Sequence, residues 1–278
     1  MADIYGSHFE YGGVNSRMYD LVFVNINTSR WTKLCGTSEP ITIYSKRAQK
    51  NYLIDDDHSS SPVSIDAEIT TESGRCIETV EQRQIEKWLF GQNCYRRLYF
   101  DTADDRNAET YEFTSDGQML RNYLNCRFMN PERVEGSGGV CGYKFQVVCD
   151  SNMFWQDTMT KFFSVNNGAA DVSTIITVPV DTDFQEYIYP KVKITMGGVG
   201  GDIAVVNNSD DSTRMTKFVG MSPYSSVIMK GELNYLSGQY YEKFADRNFI
   251  RLLDGDNKLM VLGDIDSIEF EFSVRRLM

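Results

Sequence analysis

Alternation between apolar and polar side chains recurs along most of this chain and limits its fold more than any other feature. The segment 142–150 (GYKFQVVCD) alternates in this way, and so do 189–196 and 267–275. A period of two places successive side chains on opposite faces of a β-strand, so each segment is expected to bury one face. Further candidate strands, rich in β-branched or aromatic residues, are 20–26, 41–44, 203–206 and 227–236.

Turn-forming residues separate these candidate strands. Glycine, asparagine and aspartate dominate the separators, and these residue types adopt the tight backbone conformations of turns. Many short strands divided by turns predict a mainly β protein, built from two β-sandwich-type domains. The separators are Gly12-Gly13, 197–201 (GGVGG), 207–210 (NNSD) and 254–257 (DGDN).

One short α-helix is predicted at about 80–90, within the N-terminal domain. Thr79 and Gln82 have the spacing of a capping box, in which side chains and backbone at a helix start satisfy each other's hydrogen bonds. Gly91 follows the helix where a C-terminal cap is expected. Three apolar residues recur at helical spacing, and we predict that they form the structural core of the helix, with the tryptophan as a core anchor rather than a ligand-stacking ring. They are Ile85, Trp88 and Leu89.

The sequence changes character in its middle third. A stretch rich in asparagine, glycine and alanine (NNGAAD, 166–171) interrupts the strand pattern. We therefore expect an N-terminal domain over 1–160, a connection over 161–185 and a C-terminal β-sandwich domain over 186–278. No internal repeat of fixed period is evident.

The charge balance narrows the classes of protein. Among 278 residues, 28 Lys+Arg stand against 39 Asp+Glu, which gives a formal net charge of −11. A dedicated nucleic-acid binder usually concentrates positive charge, so this balance argues against one. No run approaches the ~20 apolar residues of a membrane helix, and no basic start precedes an apolar stretch as in a signal peptide. We expect a protein made in the cytoplasm, without membrane insertion.

Cysteine and histidine usage offers little for catalysis or metal binding. None of the six cysteines forms the close CxxC pair typical of zinc sites. We expect free and mostly buried thiols, because the chain is long enough to bury a core without disulfides. His8 lies near the N-terminus, and His58 lies in an acidic run (DDDHSSS, 55–61) that we interpret as a solvated loop. The cysteines are at positions 35, 76, 94, 126, 141 and 149.

Familiar ligand-binding motifs are incomplete in this sequence. The glycine cluster 197–201 lacks the Gly-Lys-Ser/Thr ending of a phosphate-binding loop and precedes a strand instead of a helix. The run from Asp254 begins like a calcium-binding loop, but its twelfth position is Ile265 instead of glutamate. A carboxylate pair of glycosidase type cannot be located among 39 acidic residues. We predict no catalytic, cofactor-binding or metal-binding residue, no cofactor and no enzymatic activity.

Five segments carry a family resemblance through their order and spacing. They are FEYGGVNS (9–16), IEKWLFGQNCYRRLYF (85–100), KFQVVCD (144–150), YPKVKI (189–194) and LDGDNKL (253–259). In this order they resemble the distal tail proteins (Dit) of long-tailed bacteriophages. The counterparts in that family are its first hairpin, its helix-then-strand segment, the strand that closes its first domain, the first strand of its C-terminal sandwich and a late Gly-x-Asn turn. Asp254 stands where that turn commonly has proline.

The resemblance implies a structural role in the virion. In that family the N-terminal domain forms a homo-hexameric ring that continues the tail tube, and a galectin-like C-terminal sandwich projects outward. The implied partners are the tail tube protein and the tail-tip, tail-associated and receptor-binding proteins, while genomic DNA passes the lumen without sequence-specific binding. The implied location is the tail tip of the virion after assembly in the host cytoplasm. The residues of the subunit interface cannot be named, because core and interface aromatics look alike in sequence.

Three other functions are compatible with the sequence. A tail tube protein or another baseplate component is the nearest, although tube subunits usually have a single domain. A carbohydrate-binding module would use exposed aromatics, and the chain has 16 Tyr and three Trp. A glycan-degrading tail enzyme would need a carboxylate cleft. The tryptophans are Trp31, Trp88 and Trp155.

Overall fold

The chain forms two compact units in the computed structural model. The first comprises Met1–Gln156 with Arg276–Met278, and the second comprises Asp157–Arg275. The mainly β, two-domain fold predicted from the alternation is confirmed. The structure describes residues 8–25, 39–45, 50–57, 62, 64–101, 112–113, 119–151, 153–169, 172–210, 214–238 and 240–276.

The first unit combines β-strands with the helix α1 (Thr79–Leu89) and a 3-10 turn, Ser16–Tyr19. A last short strand, β22 (Arg275–Arg276), lies where the chain returns to this unit. The other strands are β1 (His8–Tyr11), β2 (Val14–Asn15), β3 (Leu21–Asn25), β4 (Glu39–Ser45), β5 (Lys50–Asp57), β6 (Ser64–Thr71), β7 (Arg96–Asp101), β8 (Glu112–Phe113), β9 (Met119–Leu120), β10 (Asn122–Gly136), β11 (Gly139–Cys149) and β12 (Phe154–Gln156).

The largest sheet of this unit curls so that strands far apart in its order meet. The order is β2-β1-β7-β10-β11-β6-β3, and β12 pairs with both β10 and β22. The rings of Phe9 in β1 and Phe23 in β3 nevertheless have centroids 4.5 Å apart. The curled sheet and α1 share one apolar core. The helix residues in that core are Ile85, Trp88 and Leu89.

The start of α1 differs from the predicted capping box. The cap residue is Glu78, which makes no side-chain hydrogen bond to the helix, and Thr79 is already the first helical residue. The Gln82 side chain donates to the carbonyl of Ile77 at 2.8 Å and so ties the helix to the segment before it. Gly91 does follow the helix, and a Cβ there would lie 2.6 Å from the Lys87 carbonyl oxygen. Close backbone approach is therefore what requires this glycine.

The second unit contains two antiparallel sheets. Their orders are β13-β21-β15-β18-β19 and β14-β20-β16-β17. Alternate side chains are buried along the strands of both sheets, which is the pattern of two sheets that face each other in a sandwich. The strands are β13 (Met159–Ser164), β14 (Ser173–Val180), β15 (Lys191–Met196), β16 (Gly201–Asn207), β17 (Met215–Met221), β18 (Ser226–Lys230), β19 (Tyr235–Leu236), β20 (Gly255–Leu262) and β21 (Ile265–Phe272).

Three sequence expectations about connections need correction. The expected connection 161–185 contains most of β13 and all of β14, which pair with β21 and β20 and belong to the second unit. The expected strand 227–236 is broken by a 3-10 turn, Gly231–Leu233. The acidic residues 55–57 do not lie in a loop, because they continue the ladder between β5 and β4. His58 lies outside the described residues.

The break at Gly231 has a steric cause. A Cβ at this position would lie 2.8 Å from the Tyr189 ring, so the backbone passes directly against an aromatic side chain. Asn234 then adopts a left-handed conformation with φ 49° and turns the chain back into β19. Neither constraint is visible in the β-branched composition of the segment.

The expectation of mostly buried thiols is also wrong. Of the five cysteines among the described residues, all are free, but only Cys126 and Cys149 are buried. Cys141 is half-buried, and Cys76 and Cys94 are exposed. Cys126 and Cys149 are paired across β10 and β11, where the apolar core accepts small hydrophobic side chains. Cys35 and Trp31 lie outside the described residues.

Burial of two tyrosines makes the first unit sensitive to alkaline pH. Burial raises the pKa of Tyr11 and of Tyr143 well above the usual value. In the unfolded chain these hydroxyls ionise near pH 10. The folded state then holds protons that the unfolded state has lost, so stability falls as pH rises above about 10.

We predict that Tyr11→Phe makes this alkaline loss of stability shallower. Denaturant unfolding followed by tryptophan fluorescence at several pH values measures it, because Trp31, Trp88 and Trp155 all belong to the first unit. Tyr95→Phe, at a side chain that is 47% exposed, is the matched control and should leave the slope unchanged. Equal slopes for Tyr11→Phe and the unaltered protein would contradict the assignment.

Candidate assembly surfaces

The first hairpin is shaped by two glycines and closed by polar side chains. Gly12 and Gly13 connect β1 to β2 with φ values of 59° and 83°, as a tight two-residue hairpin turn requires. The Asn15 Oδ1 atom accepts from the Arg17 amide at 2.9 Å and starts the 3-10 turn. The fully buried Ser16 hydroxyl accepts from the Phe9 amide at 3.0 Å, which fixes the turn to β1.

Trp88 joins this hairpin to α1. Its indole Nε1 donates to the Tyr11 carbonyl at 2.9 Å. Its ring stacks on Phe9 at 5.9 Å and on Tyr19 at 5.4 Å between centroids. The FEYGGVNS segment and the helix, far apart in sequence, therefore form one packed module.

The sheet face opposite the core carries a stack of arginine and tyrosine side chains. Tyr99 and Tyr123, on neighbouring strands, have ring centroids 5.5 Å apart. The Arg121 guanidinium lies 3.9 Å from the centre of the Tyr99 ring, and that of Arg97 lies 4.4 Å from the centre of the Tyr123 ring. Arg121 also forms an ion pair with Glu10 at 3.2 Å. The tyrosine rings are buried beneath charged groups, of which Arg97 is exposed.

Sequence reasoning missed this stack, although a signal for it exists. The pattern Arg-x-Tyr occurs twice, at 97–99 and at 121–123. Residues two apart lie on one face of a strand. Antiparallel pairing of β7 with β10, with Leu98 opposite Leu124, then brings each arginine over the tyrosine of the other strand. The stack therefore joins β7 to β10 through side chains on the sheet face opposite the core.

In the second unit, Asn257 explains the Gly-x-Asn turn. Its side chain is fully buried and its Nδ2 donates to the carbonyls of Leu253 at 2.7 Å, Gly255 at 3.2 Å and Val178 at 3.3 Å. Its Oδ1 accepts from the Leu253 amide at 2.8 Å and from the Asn207 Nδ2 at 2.9 Å. One side chain thus ties β14, β16, β20 and the turn together.

Asp254 has a role of its own in this turn. Its Oδ1 accepts from the amide of Thr182 at 3.1 Å, and the Thr182 hydroxyl donates to the Arg275 carbonyl at 3.1 Å. Asp254 therefore holds the residues that follow β14 by a hydrogen bond that a proline at this position has no side-chain acceptor to make.

The glycine cluster 197–201 wraps a buried carboxylate. The Asp264 Oδ2 atom accepts from the amides of Val199 at 2.6 Å and Gly200 at 2.7 Å. A Cβ at Gly197 would lie 2.1 Å from Asp264 Oδ1, so this oxygen packs against the glycine backbone. The glycines make room for Asp264, and no phosphate-binding function is needed to explain them. Sequence reasoning missed Asp264.

Two exposed side chains form the tip above this loop. Val199 is 64% exposed and Tyr224 is 80% exposed. Tyr224 adopts φ 57° and its amide donates to the Gly197 carbonyl at 2.8 Å. A Cβ at Gly198 would lie 2.7 Å from the Tyr224 hydroxyl, so the ring lies across this glycine. The tip presents an apolar and aromatic surface on a fixed backbone.

The described residues form no cluster of side chains suited to bind a metal ion. Within them, no group of three or more His, Cys, Asp or Glu side chains is placed to hold an ion. His8 contacts the Leu21 carbonyl at 3.2 Å and Glu72 at 3.4 Å, which are contacts within the fold. In the part of the chain that the structure describes, no helix has the length and apolar character needed to cross a membrane.

A family match decides what kind of protein this is. A profile described as phage tail protein N-terminal domain matches residues 4–151, more than half of the chain. The chain belongs to this family of phage tail proteins. It is a structural component of the tail and hence of the virion. The match covers the hairpin, α1 and the arginine–tyrosine face.

Solved structures extend the likeness to the second unit. The chain is similar to SPP1 Dit (gp 19.1), described as a paradigm of the hub adsorption apparatus in Gram-positive infecting phages. The TM-score is 0.60 at 13% identity, covering 96% of this chain and 98% of that chain. Chains of the phage P2 baseplate in its activated conformation, with Ca and with Sr, give TM-scores of 0.51 and 0.50 at 10% identity, each covering 96% of this chain and 97% of that one. No curated protein matches the sequence.

The resemblance to distal tail proteins drawn from sequence is confirmed by these findings. The family is that of a phage tail protein, and the fold is shared with SPP1 Dit over nearly the whole of both chains.

We predict that Asn257→Ala destabilises the protein by about 1–3 kcal/mol, because it leaves the half-buried Leu253 amide without its acceptor. Thermal unfolding followed by calorimetry measures the change. Asn208→Ala, at the neighbouring exposed asparagine, is the matched control and should stay within roughly 0.5 kcal/mol of the unaltered protein. Similar effects of the two substitutions would show that the Asn257 network does not stabilise the turn.

Proposed function

We propose that this protein is the distal tail adaptor of a long-tailed phage, six copies of which form a ring between the tail tube and the tail tip or baseplate. One observation carries the proposal: the family match over 4–151 coincides with a fold shared over 96% of the chain with SPP1 Dit, a hub protein by its description. The protein acts by assembly and not by catalysis.

The first unit is suited to form the ring. A closed ring uses heterologous contacts, in which one surface of a subunit meets a different surface of its neighbour. The Trp88 module gives this unit a fixed hairpin, which supplies a rigid element for such a contact.

The second unit is suited to carry neighbouring tail proteins. We propose that it holds the receptor-binding or baseplate parts through its loops. The support is the tip of Val199 and Tyr224, where Asp264 accepts from the Val199 amide and the Gly197 carbonyl accepts from the Tyr224 amide. Fixed exposed aromatics lose little conformational entropy on binding, which favours them as contact residues.

We propose that the ring lets genomic DNA pass without binding it. The net charge of −11 per subunit supports this, because acidic walls repel phosphates. A ring structure whose lumen is lined mainly by lysine and arginine would contradict the conduit.

The ring predicts a mass of six times 31.8 kDa in solution and annular particles in negative stain. Light scattering after size exclusion measures the mass. A monomer at every concentration, alone and with the tail tube protein, would overturn the ring. Co-assembly is included because some subunits associate only with partners.

A further inference from the structure

The strand β14 forms one edge of the four-stranded sheet in the second unit. It pairs with β20 over its full length, from Ser173 opposite Leu262 to Val180 opposite Gly255. The other edge of this sheet, β17, is covered by the segment around Lys243. The Val219 amide donates to the Lys243 carbonyl at 2.9 Å, and the Ala245 amide donates to the Lys217 carbonyl at 3.0 Å. No described residue covers β14 in this way.

The hydrogen-bond pattern identifies the free groups on β14. The Gly263 amide donates to the Val172 carbonyl, so 172 and the even-numbered residues that follow direct their backbone groups toward β20. The odd-numbered residues direct theirs outward. Ser173, Ile175 and Thr177 each present one N–H and one C=O, whereas Pro179 presents a carbonyl alone.

Apart from Pro179 near its C-terminal end, this edge lacks the features that usually prevent strand pairing. Exposed edges are commonly blunted by charged side chains, bulges or very short strands. The sequence STIITVPV is eight residues long and uncharged, and its register with β20 is continuous. Ile175, at its centre, is 63% exposed. Pro179, which lacks an N–H, hinders pairing only at the C-terminal end of β14.

We propose that the β14 strands of two copies of this chain pair in antiparallel orientation about a two-fold axis at Ile175, joining their four-stranded sheets into one of eight strands.

In this register, each edge residue that presents both an N–H and a C=O has both groups hydrogen-bonded. Ile175 pairs with Ile175 of the second copy, and Ser173 pairs with Thr177 in both directions. The three N–H and three C=O groups of each copy then form six hydrogen bonds between the copies. A two-fold axis at Ile176 would instead place Pro179 opposite Ser173, so the Ser173 carbonyl of each copy would face a residue without an N–H, and the two Ile175 side chains would no longer pair.

The side chains fit the same arrangement. The two exposed Ile175 side chains cover each other, and serine faces threonine on either side of them. Because β14 carries no charge, no like charges meet across the axis. A contact of this kind is isologous, unlike the contacts that close a ring. It therefore joins subunits of separate rings, or two free subunits, and does not depend on the hexamer.

Disulfide trapping tests the axis. Ile175→Cys, oxidised with glutathione disulfide, is expected to give a covalent dimer on a non-reducing gel, since paired residues are within disulfide range. Thr177→Cys is the matched control: its two copies are about 13 Å apart in this register and should not cross-link. The unaltered protein runs in parallel because Cys76 and Cys94 are exposed. Equal cross-linking of the two variants, or none with Ile175→Cys, overturns the proposal.

An edge-blocking substitution tests the contact without cross-linking. Thr177→Pro removes an N–H that faces outward and leaves the ladder to β20 intact, so the unit is expected to fold. Sedimentation velocity of the full chain should show the two-fold association weakened at least tenfold, with Thr177→Val, which keeps the N–H, unchanged. Association of Thr177→Pro equal to that of Thr177→Val overturns the proposal. Circular dichroism verifies that both variants are folded. A variant that loses the rings but keeps the two-fold association would contradict the proposed hexamer and not the β14 contact.

Discussion

The hydrogen bond from the Trp88 indole to the Tyr11 carbonyl holds the first unit in its shape. The indole needs a partner because it is buried between Phe9 and Tyr19, and the carbonyl at the start of the hairpin turn supplies it. The same contact sets where the hairpin meets α1. The arginine–tyrosine face lies on the other side of that sheet, so its position depends on the same anchor.

The strands could be predicted because their signal is local. The alternation along 142–150 can be recognised without knowing which strand pairs with it. This segment forms most of β11, with the expected face buried. The start of α1 could not be predicted as well, because Gln82 bonds to Ile77 instead of taking part in a box with Thr79. The break at Gly231 depends on Tyr189, 42 positions earlier in the chain, and no local pattern reports such a contact.

The candidate surfaces were less accessible to sequence reasoning for the same reason. A single Arg-x-Tyr sequence does not predict a contact. The two arginine–tyrosine contacts form only because the strand register places Leu98 opposite Leu124. Asp264 was missed because an aspartate after glycine reads as an ordinary turn residue. The family resemblance did draw attention to Asn257, and the structure gives the physical reason: five hydrogen bonds converge on one buried side chain.

The carboxylate of Asp264 fixes the backbone of the glycine loop without contacting the side chains that the loop exposes. The amides of Val199 and Gly200 donate to one carboxylate oxygen and the other oxygen packs against Gly197, so Asp264 constrains the loop backbone and leaves the side chains of Val199 and Tyr224 exposed. A tip built in this way lets the exposed positions diversify through single substitutions while the sandwich beneath is preserved.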